Sequence, residues 1–434
     1  MFQKWTYAGC GMVKLLMIAD DFTGALDTGV QFAVRGARTC VVTDPAYDFS
    51  RTGEDIQVLV LDAETRHLPP EAAYDTVFRA VTDALEAGFT HVYKKTDSAL
   101  RGNVGAELGA VLDAAGAESL TFLPALPKMK RITRKGVHYI DGVPVAESVF
   151  GQDPFEPVAA SSVAEILRAQ TEKPAVLHEL GEAAAAGRPG IQIYDAETDQ
   201  DLLRIGRSLG GEGLRLCAGC AGFASVVAEL LELEGTPPGM PYLVPSLFVA
   251  CGSVNPVTLR QMETAEAAGF PHVHLTPVQK LESAWRETPE CAGVVASWLE
   301  TAERERRFIL DVNDPADCED TVLYARERGL TTEELRVRIS DQLGHLVQRL
   351  LDGGLDATLL CTGGDTLLAL TRAVGVAELS PVCELDTGAV LTDFVYRGKT
   401  YHIISKSGGF GEPDLFCRLA RSLGAGDQEE DGVC

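Results

Sequence analysis

The sequence lacks any uninterrupted apolar run that approaches the about 20 residues needed by a membrane-spanning helix, so no transmembrane segment is predicted. Cationic residues are also scarce, with 38 lysines and arginines against 63 aspartates and glutamates and a formal net charge of −25. The negative electrostatic field of such a protein repels phosphate backbones and anionic lipids, so we expect neither a nucleic-acid partner nor a membrane partner. Any anionic substrate must therefore bind in a locally basic pocket.

No disulfide framework is expected, although the chain has 11 cysteines. Cys251 and Cys361 lie in apolar runs, where reduced thiols pack as small hydrophobic side chains. Cys217 and Cys220 form a Cys-x-x-Cys pair without a second pair, which argues against a zinc site. The cysteines therefore indicate a reducing compartment.

The amino-terminal residues give no export signal. Cys10 is not preceded by the apolar core of a signal peptide, so we expect a cytoplasmic protein. Residues 1–12 are expected to form an irregular leader, and Met12, just before the first predicted strand, is an alternative start.

Short apolar runs alternate with helix-like segments along most of the chain. Five strand–helix units in about 110 residues predict a doubly wound, largely parallel sheet. A stretch rich in proline and glycine, residues 234–245, predicts a boundary between domains. We therefore expect two α/β domains, 1–240 and 241–434, with largely parallel sheets and a cleft between them. Residues 124–155 interrupt the first domain as a basic loop followed by a hairpin.

Polar side chains follow three predicted strands of the first domain, at the point where each strand ends. Lys94–Gly102 (KKTDSALRG) follows one strand, Asp20 and Asp21 follow another, and Arg66 follows a third. Open α/β sheets bind small molecules at the carboxyl ends of their strands. These stretches therefore predict a ligand site, with solvated loops and helix caps as the structural alternative.

The side chain types indicate separate roles within this predicted site. Arg101 offers a two-pronged fork for a carboxylate or phosphate, and Lys95 offers a point charge. Asp97 is suited to accept a proton or to bind a metal. Asp20 and Asp21 are suited to bind Mg²⁺ or to accept hydrogen bonds from substrate hydroxyls.

Three glycine-bearing turns follow apolar strands of the second domain, at Gly252-Ser253, 363–366 and 407–411. Glycine lets backbone N–H groups approach a polyphosphate closely, and a following helix N-terminus adds unpaired donors. Asn255 is a good N-cap after the first turn, and Lys406 stands beside the last. Neither a Walker motif nor a protein-kinase His-Arg-Asp signature is present, so the turns predict a nucleotide site of another class.

Taken in order, several segments resemble the four-carbon acid sugar kinase family over nearly the whole chain: ADDFTGALD (19–27), KKTDSALRG, PALP with GVHYIDGVPV, CGSVNPVTLRQ, CTGGDT and SKSGGFG. The resemblance implies an N-terminal sugar-acid domain and a C-terminal nucleotide domain. It also implies ATP-dependent phosphorylation of a hydroxyl of a small sugar acid such as threonate, erythronate or a 3-oxo-tetronate.

The resemblance carries expectations for individual residues. It places near the sugar acid Asp20, Asp21, Lys95, Asp97, Ser98 and Arg101, to which the residue-level argument adds Arg66 and Arg131. It places around the nucleotide Ser253, Asn255, Gly363, Gly364, Asp365, Thr366 and Gly408, to which we add Lys406.

For catalysis we expect Mg²⁺ to bridge the phosphates, with the glycine turns stabilising charge on the transferring group. Either Asp97 or Asp21 would take the hydroxyl proton, and Arg101 and Lys95 would bind the substrate carboxylate. Asp365 would orient the metal or cap its helix. The alternatives are a non-catalytic sensor of a sugar acid and a nucleotide, and a nucleotide-dependent ligase that activates the carboxylate. A homodimer is one expected assembly.

Two features of the sequence stand apart from the shared motifs. Lys130 and Ile132 occupy positions where the family usually has glycine and threonine, which predicts a substrate other than plain threonate or erythronate if this loop lines the pocket. His272 and His274 form a possible metal pair in a strand-like run, with a structural role as the favoured interpretation.

Overall fold

The computed structural model describes residues 13–153, 156–181, 188–231, 233, 235–315, 318 and 320–425. The predicted leader, residues 1–12, lies outside them. The chain divides into two compact units, Met1–Pro238 and Gly239–Cys434. Both units alternate helices with strands of a largely parallel sheet, so the predicted α/β class is confirmed.

The first unit is built on a parallel sheet. The strands of this unit are β1 (Leu15–Ala19), β2 (Thr39–Val42), β3 (Val58–Asp62), β4 (His91–Lys95), β5 (Ser119–Leu123), β6 (Arg131–Arg134), β7 (Val137–Ile140), β8 (Val143–Pro144), β9 (Ala175–His178), β10 (Gly190–Tyr194) and β11 (Leu216–Gly219). Its helices are α1 (Phe22–Ala33), α2 (Pro70–Glu86), α3 (Val104–Ala115), α4 (Val163–Arg168), α5 (Asp199–Leu214) and α6 (Ala221–Leu230). The parallel order is β2-β3-β1-β4-β11-β5-β10-β9, and β6, β7 and β8 form a separate antiparallel sheet within the predicted insertion.

The second unit combines parallel strands with an antiparallel meander. Its strands are β12 (Leu247–Cys251), β13 (His272–His274), β14 (Arg307–Asp311), β15 (Thr358–Thr362), β16 (Glu378–Asp386), β17 (Ala389–Tyr396) and β18 (Lys399–Lys406). Its helices are α7 (Pro256–Ala267), α8 (Pro277–Leu281), α9 (Pro289–Glu305), α10 (Asp320–Glu327), α11 (Thr332–Asp352), α12 (Gly364–Val374) and α13 (Leu415–Ala425). Within this unit the order is β13-β14-β12-β15-β18-β17-β16, and β16, β17 and β18 pair antiparallel.

Each unit has its own apolar core on both faces of its sheet. All five residues of β1 are fully buried, as are most of those of β3, because helices cover both faces of a parallel sheet and leave no solvated side. This is why the central strands read as continuous apolar runs in the sequence. The described cysteines are free thiols, as expected. Among the described residues, no helix combines the length and the apolar character that crossing a membrane requires.

Capping side chains start the helices that leave the strand ends. The Asp21 carboxylate accepts a hydrogen bond from the Gly24 N–H at the start of α1 (3.0 Å). The Asn255 side chain accepts one from the Val257 N–H at the start of α7 (2.9 Å), as its sequence context predicts. Strand ends and helix starts are therefore fixed at the same positions, which brings backbone donors and polar side chains to one edge of each sheet.

Candidate active site

Three polar strand ends of the first unit meet because their strands are neighbours. The order β3-β1-β4 aligns Ala19 with Asp62 on one side and with Lys95 on the other. Asp20 and Asp21 follow β1 directly, Lys95 is the last residue of β4, and Arg66 lies in the turn after β3, so their side chains converge at one edge of the sheet. The strand-end stretches predicted from the sequence thus lie together.

Four charged side chains, Asp20, Asp21, Arg66 and Lys95, form what we call the strand-end cluster. The Arg66 Nε donates to Asp20 Oδ2 (2.7 Å) and its terminal nitrogen Nη1 donates to Asp21 Oδ2 (2.8 Å). The Lys95 ammonium lies 3.2 Å from Asp20 Oδ1 and 3.2 Å from Asp21 Oδ1. Two cations therefore neutralise two carboxylates, and Asp21, with a side chain that is 25% exposed, is the most accessible of the four.

The charges of the strand-end cluster determine its protonation. Burial alone would raise the pKa of Asp21, but Arg66 and Lys95 together hold that pKa below its usual value. Burial would lower the pKa of Lys95, but Asp20 and Asp21 raise it above its usual value. At neutral pH Asp21 is therefore a carboxylate and Lys95 an ammonium, and Asp21 serves as a hydrogen-bond acceptor.

Asp97 is held by the fork of Arg101. Nε of Arg101 donates to Asp97 Oδ2 (3.0 Å) and its Nη2 donates to Oδ1 (3.1 Å), while the backbone N–H groups of Ala99 and Arg101 also donate to Oδ2. Burial would raise the pKa of Asp97, yet Arg101 and Arg66 bring that pKa well below its usual value. The fork that the sequence assigned to a substrate carboxylate thus engages Asp97, and its other nitrogen, Nη1, donates to Asp153 (3.2 Å).

The predicted insertion contributes Arg131 and Phe150. Arg131, at the start of β6, donates to the Ser98 hydroxyl. The guanidinium carbons of Arg101 and Arg131 each lie 5.2 Å from the centre of the Phe150 ring, a cation–π arrangement that positions both. A cavity of about 370 Å³ is lined by Arg66 and Arg101 together with residues such as Asn103, Glu156 and Gln170.

Lys130 does not line this site. Its side chain is 80% exposed and lies 3.8 Å from Asp141, itself exposed. The backbone of Lys130 has φ of +52°, a conformation that glycine adopts most readily, so the backbone alone explains why a glycine is usual here. The expectation that Lys130 reshapes the substrate pocket is therefore wrong, and it gives no reason to exclude the usual four-carbon acids.

Sequence reasoning missed two buried residues whose contacts hold the strand ends in place. Glu107, 1% exposed, pairs with the buried ammonium of Lys94 (3.0 Å) and accepts a hydrogen bond from Thr65. The Asn103 amide donates to the backbone carbonyls of Thr65 (2.9 Å) and Leu68 (2.7 Å), which fixes the turn that carries Arg66. Their local sequence is that of an ordinary helix start, so no sequence signal distinguishes them.

The three glycine turns of the second unit also follow neighbouring strands, in the order β12-β15-β18. Ser253 accepts a hydrogen bond from the Asn255 N–H (3.2 Å), and a Cβ added to Gly408 would lie 2.8 Å from the Ser253 hydroxyl oxygen. Gly363 has φ of +89° and precedes α12, whose first residue is Gly364. The turns after β12 and β18 are therefore in close contact, with two helix N-termini beside them.

Lys406 lies buried under the turn after β18. Its ammonium donates to the Thr258 hydroxyl (2.7 Å) and to the Gly408 carbonyl (3.0 Å), both uncharged acceptors. Burial lowers the pKa of Lys406 to about 8. Because these two acceptors are neutral, the positive charge of Lys406 is complementary to a phosphate.

Asp365 and Thr366 occupy the first turn of α12. Gly363 is the N-cap residue of this helix, with no side-chain cap, so the alternative that Asp365 caps the helix is wrong. Asp365 pairs instead with Arg336 of α11. Thr366 is buried against Gly252, where an added Cβ would lie 2.0 Å from the Thr366 hydroxyl oxygen, so the turn after β12 requires glycine at that point.

The strand-end cluster does not fit the alternative role of binding Mg²⁺ through Asp20 and Asp21. Both carboxylates already face Arg66 and Lys95, and two adjacent cations oppose a third. Asp365 is the acidic residue in the predicted nucleotide turns, and Mg²⁺ commonly takes one carboxylate together with substrate phosphates. Asp365 also faces a cation, Arg336, so it could bind such an ion only after that contact is exchanged.

Both halves of the chain match known domain families. Residues 15–227 match a sugar-binding N-terminal domain, and residues 248–416 match a nucleotide-binding C-terminal domain. A D-threonate kinase of Salmonella typhimurium is 30% identical over 427 residues, covering 93% of this chain and 97% of that protein. A D-erythronate kinase of Heliobacterium modesticaldum is 28% identical, covering 94% of this chain and 96% of its own length. A 3-oxo-tetronate kinase of Pseudomonas fluorescens is 25% identical, covering 94% and 97%.

Solved structures share the fold. A protein of Salmonella typhimurium has a TM-score of 0.77 at 21% identity, covering 94% of this chain and 99% of that one. A Haemophilus influenzae protein has a TM-score of 0.71 at 20% identity, covering 94% and 100%. Motif order, domain matches and relatives that span nearly the whole length all agree, and the chain belongs to the four-carbon acid sugar kinases, a family of phosphotransferases that act on an alcohol group.

Proposed function

We propose that the protein transfers the γ-phosphoryl group of ATP, as its Mg²⁺ complex, to a hydroxyl of a tetronate-sized sugar acid. The observation that carries this proposal is the strand-end cluster, which places two carboxylates and two cations at one edge of the sugar-binding domain. A sugar acid can donate hydrogen bonds from its hydroxyl groups to the two carboxylates and can present its own carboxylate to the two cations. The names of the relatives support the same substrate class.

Recognition of the acid begins with donors that the cluster leaves available. An ammonium has three N–H donors, and two of those on Lys95 point to Asp20 and Asp21. The third can bind a substrate oxygen without breaking either contact. Arg131 and Ser98, which contact each other beside Asp97, supply further polar atoms from the insertion. We propose that the substrate carboxylate binds on this side, where Arg101 and Arg131 stack on Phe150.

Asp21 fits the role of the group that accepts the hydroxyl proton better than Asp97. Asp97 already receives three donors on Oδ2 and one on Oδ1, so it acts as an anchor for Arg101. Asp21 is more exposed and keeps acceptor capacity on Oδ2, which accepts a hydrogen bond from Arg66 alone among the described residues. A low pKa is compatible with this role, because phosphoryl transfer passes through a loose transition state in which little base strength is needed.

The nucleotide is proposed to bind at the glycine turns of the second unit. Backbone N–H groups at the starts of α7 and α12 and the Lys406 ammonium would hold its phosphates, next to Ser253 and Gly408. Mg²⁺ would enter with the nucleotide, bound mostly by phosphate oxygens, with Asp365 as the protein carboxylate. Lewis-acid stabilisation of the transferring phosphoryl group is the chemistry that the ion supplies. An ATP-consuming reaction also favours a cytoplasmic location, and self-association as a homodimer stays a prediction.

A panel of aldonic acids with MgATP tests the proposal. ADP release should follow addition of threonate, erythronate or a 3-oxo-tetronate, and ³¹P NMR should show a new phosphate monoester in equal amount. Thermal stabilisation by acid and nucleotide without ADP would instead identify a sensor. AMP or pyrophosphate as product would identify a ligase, and either result would refute the kinase.

A further inference from the structure

The edge strand of the second unit brings two histidines and an aspartate together. His272 and His274 are separated by one residue on β13, so their side chains lie on the same face of the strand. β13 pairs in parallel with β14, and the register sets His274 opposite Asp311. The three side chains thus share one corner at the carboxyl ends of β13 and β14, outside every residue used for sugar acid or nucleotide above.

The separations between their atoms match those of metal ligands. His272 Nε2 lies 3.1 Å from Asp311 Oδ2, and His274 Nδ1 lies 3.5 Å from the same oxygen. One ligand atom from each of the three residues lies within 4.8 Å of the others. In a tetrahedral site with metal–ligand bonds of about 2.0–2.1 Å, neighbouring ligand atoms are about 3.3 Å apart. We propose that His272, His274 and Asp311 bind a divalent transition-metal ion, with Zn²⁺ the best match to this donor set.

A second layer of hydrogen bonds orients two of these ligands. Glu266 Oε2 lies 3.1 Å from Nδ1 of His272, which leaves Nε2 of that ring directed to the site. Asp311 Oδ1 accepts from the backbone N–H of Asn313 (2.9 Å) and from its amide nitrogen (2.7 Å), which leaves Oδ2 for the ion. Carboxylate–histidine and amide–carboxylate contacts of this kind accompany metal ligands in general.

The ring of His274 completes the site from the solvent side. Its side chain is 30% exposed, whereas those of His272 and Asp311 are almost buried, so an ion and a fourth water ligand can enter past His274. Nδ1 of His274 contacts the Asn313 carbonyl (2.9 Å), and this contact is exchanged for the ion on binding. The Asn313 amide also donates to the Ser253 carbonyl (3.1 Å), so the ion would tie the three-residue strand β13 to the turn after β12.

Cobalt is the probe for this site, because Co²⁺ takes Zn²⁺ sites and gives visible absorption bands that report tetrahedral coordination. Metal ions are removed from the full chain, without a histidine tag, by a chelator. The protein is then titrated with Co²⁺, and Zn²⁺ is added afterwards as a competitor, in the absence of ATP and sugar acid. We expect one Co²⁺ per chain, a tetrahedral spectrum, displacement by Zn²⁺, and a Zn²⁺-dependent rise in melting temperature. A wild-type protein without the bands, or without a saturable Zn²⁺ site, overturns the proposal.

Matched variants separate the site from unspecific binding. His274→Gln and His272→Gln should each lower Zn²⁺ affinity by at least 10-fold, and Glu266→Gln should lower it by about 10-fold because that carboxylate acts through His272. His402→Gln is the control, since His402 also pairs with a carboxylate, Asp393, in the same unit. His274 is partly exposed, so its replacement preserves the fold, which circular dichroism checks. Equal affinity in wild type and His274→Gln would refute the assignment, whatever the outcome of the kinase assay.

Discussion

Gly24 in the first turn of α1 allows the Lys95 ammonium to reach the strand-end cluster. A Cβ built on Gly24 would lie 1.9 Å from Lys95 Nζ and 2.5 Å from Asp21 Oδ1. Ordinary contact begins at 3.4 Å, so in Gly24→Ala the ammonium must retreat by about 1.5 Å. That displacement breaks at least one of its two 3.2 Å contacts with Asp20 and Asp21.

The expected magnitude combines two opposing effects. Loss of one hydrogen bond to a charged group costs about 1.5–3 kcal/mol, whereas alanine in place of glycine within a helix gains about 0.5–1 kcal/mol. We therefore expect Gly24→Ala to lower the free energy of unfolding of the first unit by about 1–2 kcal/mol, or about 2–8 °C in melting temperature. The sugar-acid KM should rise, because Lys95 no longer presents its third donor, while the ATP KM should stay unchanged.

Calorimetry and steady-state kinetics measure the two effects on the same preparation. Gly293→Ala in α9 is the matched control, because a Cβ at Gly293 meets no atom within 4 Å and only helix propensity changes. That control should be slightly stabilised and fully active. If Gly24→Ala behaves like Gly293→Ala in both assays, the close approach of Lys95 to Gly24 does not matter and the assignment of Lys95 fails.

Three further substitutions follow from the same geometry. Arg101→Lys should raise the sugar-acid KM by about 10-fold or more without changing the ATP KM, since lysine loses the fork that holds Asp97; equal effects on both KM values would contradict separate ligand sites. Gly408→Val should abolish ATP binding in calorimetry, because its branched side chain would press on Ser253; unchanged affinity would remove this turn from the site. Lys406 is a cation below its pKa of about 8 and neutral above it, so ATP affinity should weaken as pH rises through 8, and Lys406→Met should flatten that pH profile.

The strand ends could be predicted from the sequence because apolar runs in a parallel sheet stop abruptly at polar residues. Asp20 and Lys95 were assigned to one site on that basis, since strand ends of one sheet share an edge. Burial could not be predicted in the same way. Glu107 has the sequence context of a surface acid on a helix, and its burial depends on Lys94 from another element. Asp311 lies far along the chain from His272, and the pairing of β13 with β14 alone brings them together.

The backbone conformation of Lys130 could not be predicted from the sequence either. Lys130 was expected to add charge to a pocket, but its positive φ and its exposure put that charge in solvent. Arg131, the next residue, does reach Ser98, because β6 pairs with β7 and alternate side chains of a strand face opposite sides. Lys130 ends the turn before β6 in a left-handed conformation, whereas Arg131 is the first residue of that strand, and this difference decides which of the two cations contributes to the site.

The strand-end cluster also bears on competition from simple ions. Its two cations and two carboxylates cancel, so a bare anion such as chloride or inorganic phosphate gains attraction from Arg66 and Lys95 but is repelled equally by Asp20 and Asp21. A polyhydroxy acid meets both signs at once, presenting O–H groups to the carboxylates and its own carboxylate to the cations. Abundant inorganic anions in the cell would then be weak inhibitors, and selectivity for the organic acid would arise before any reaction takes place.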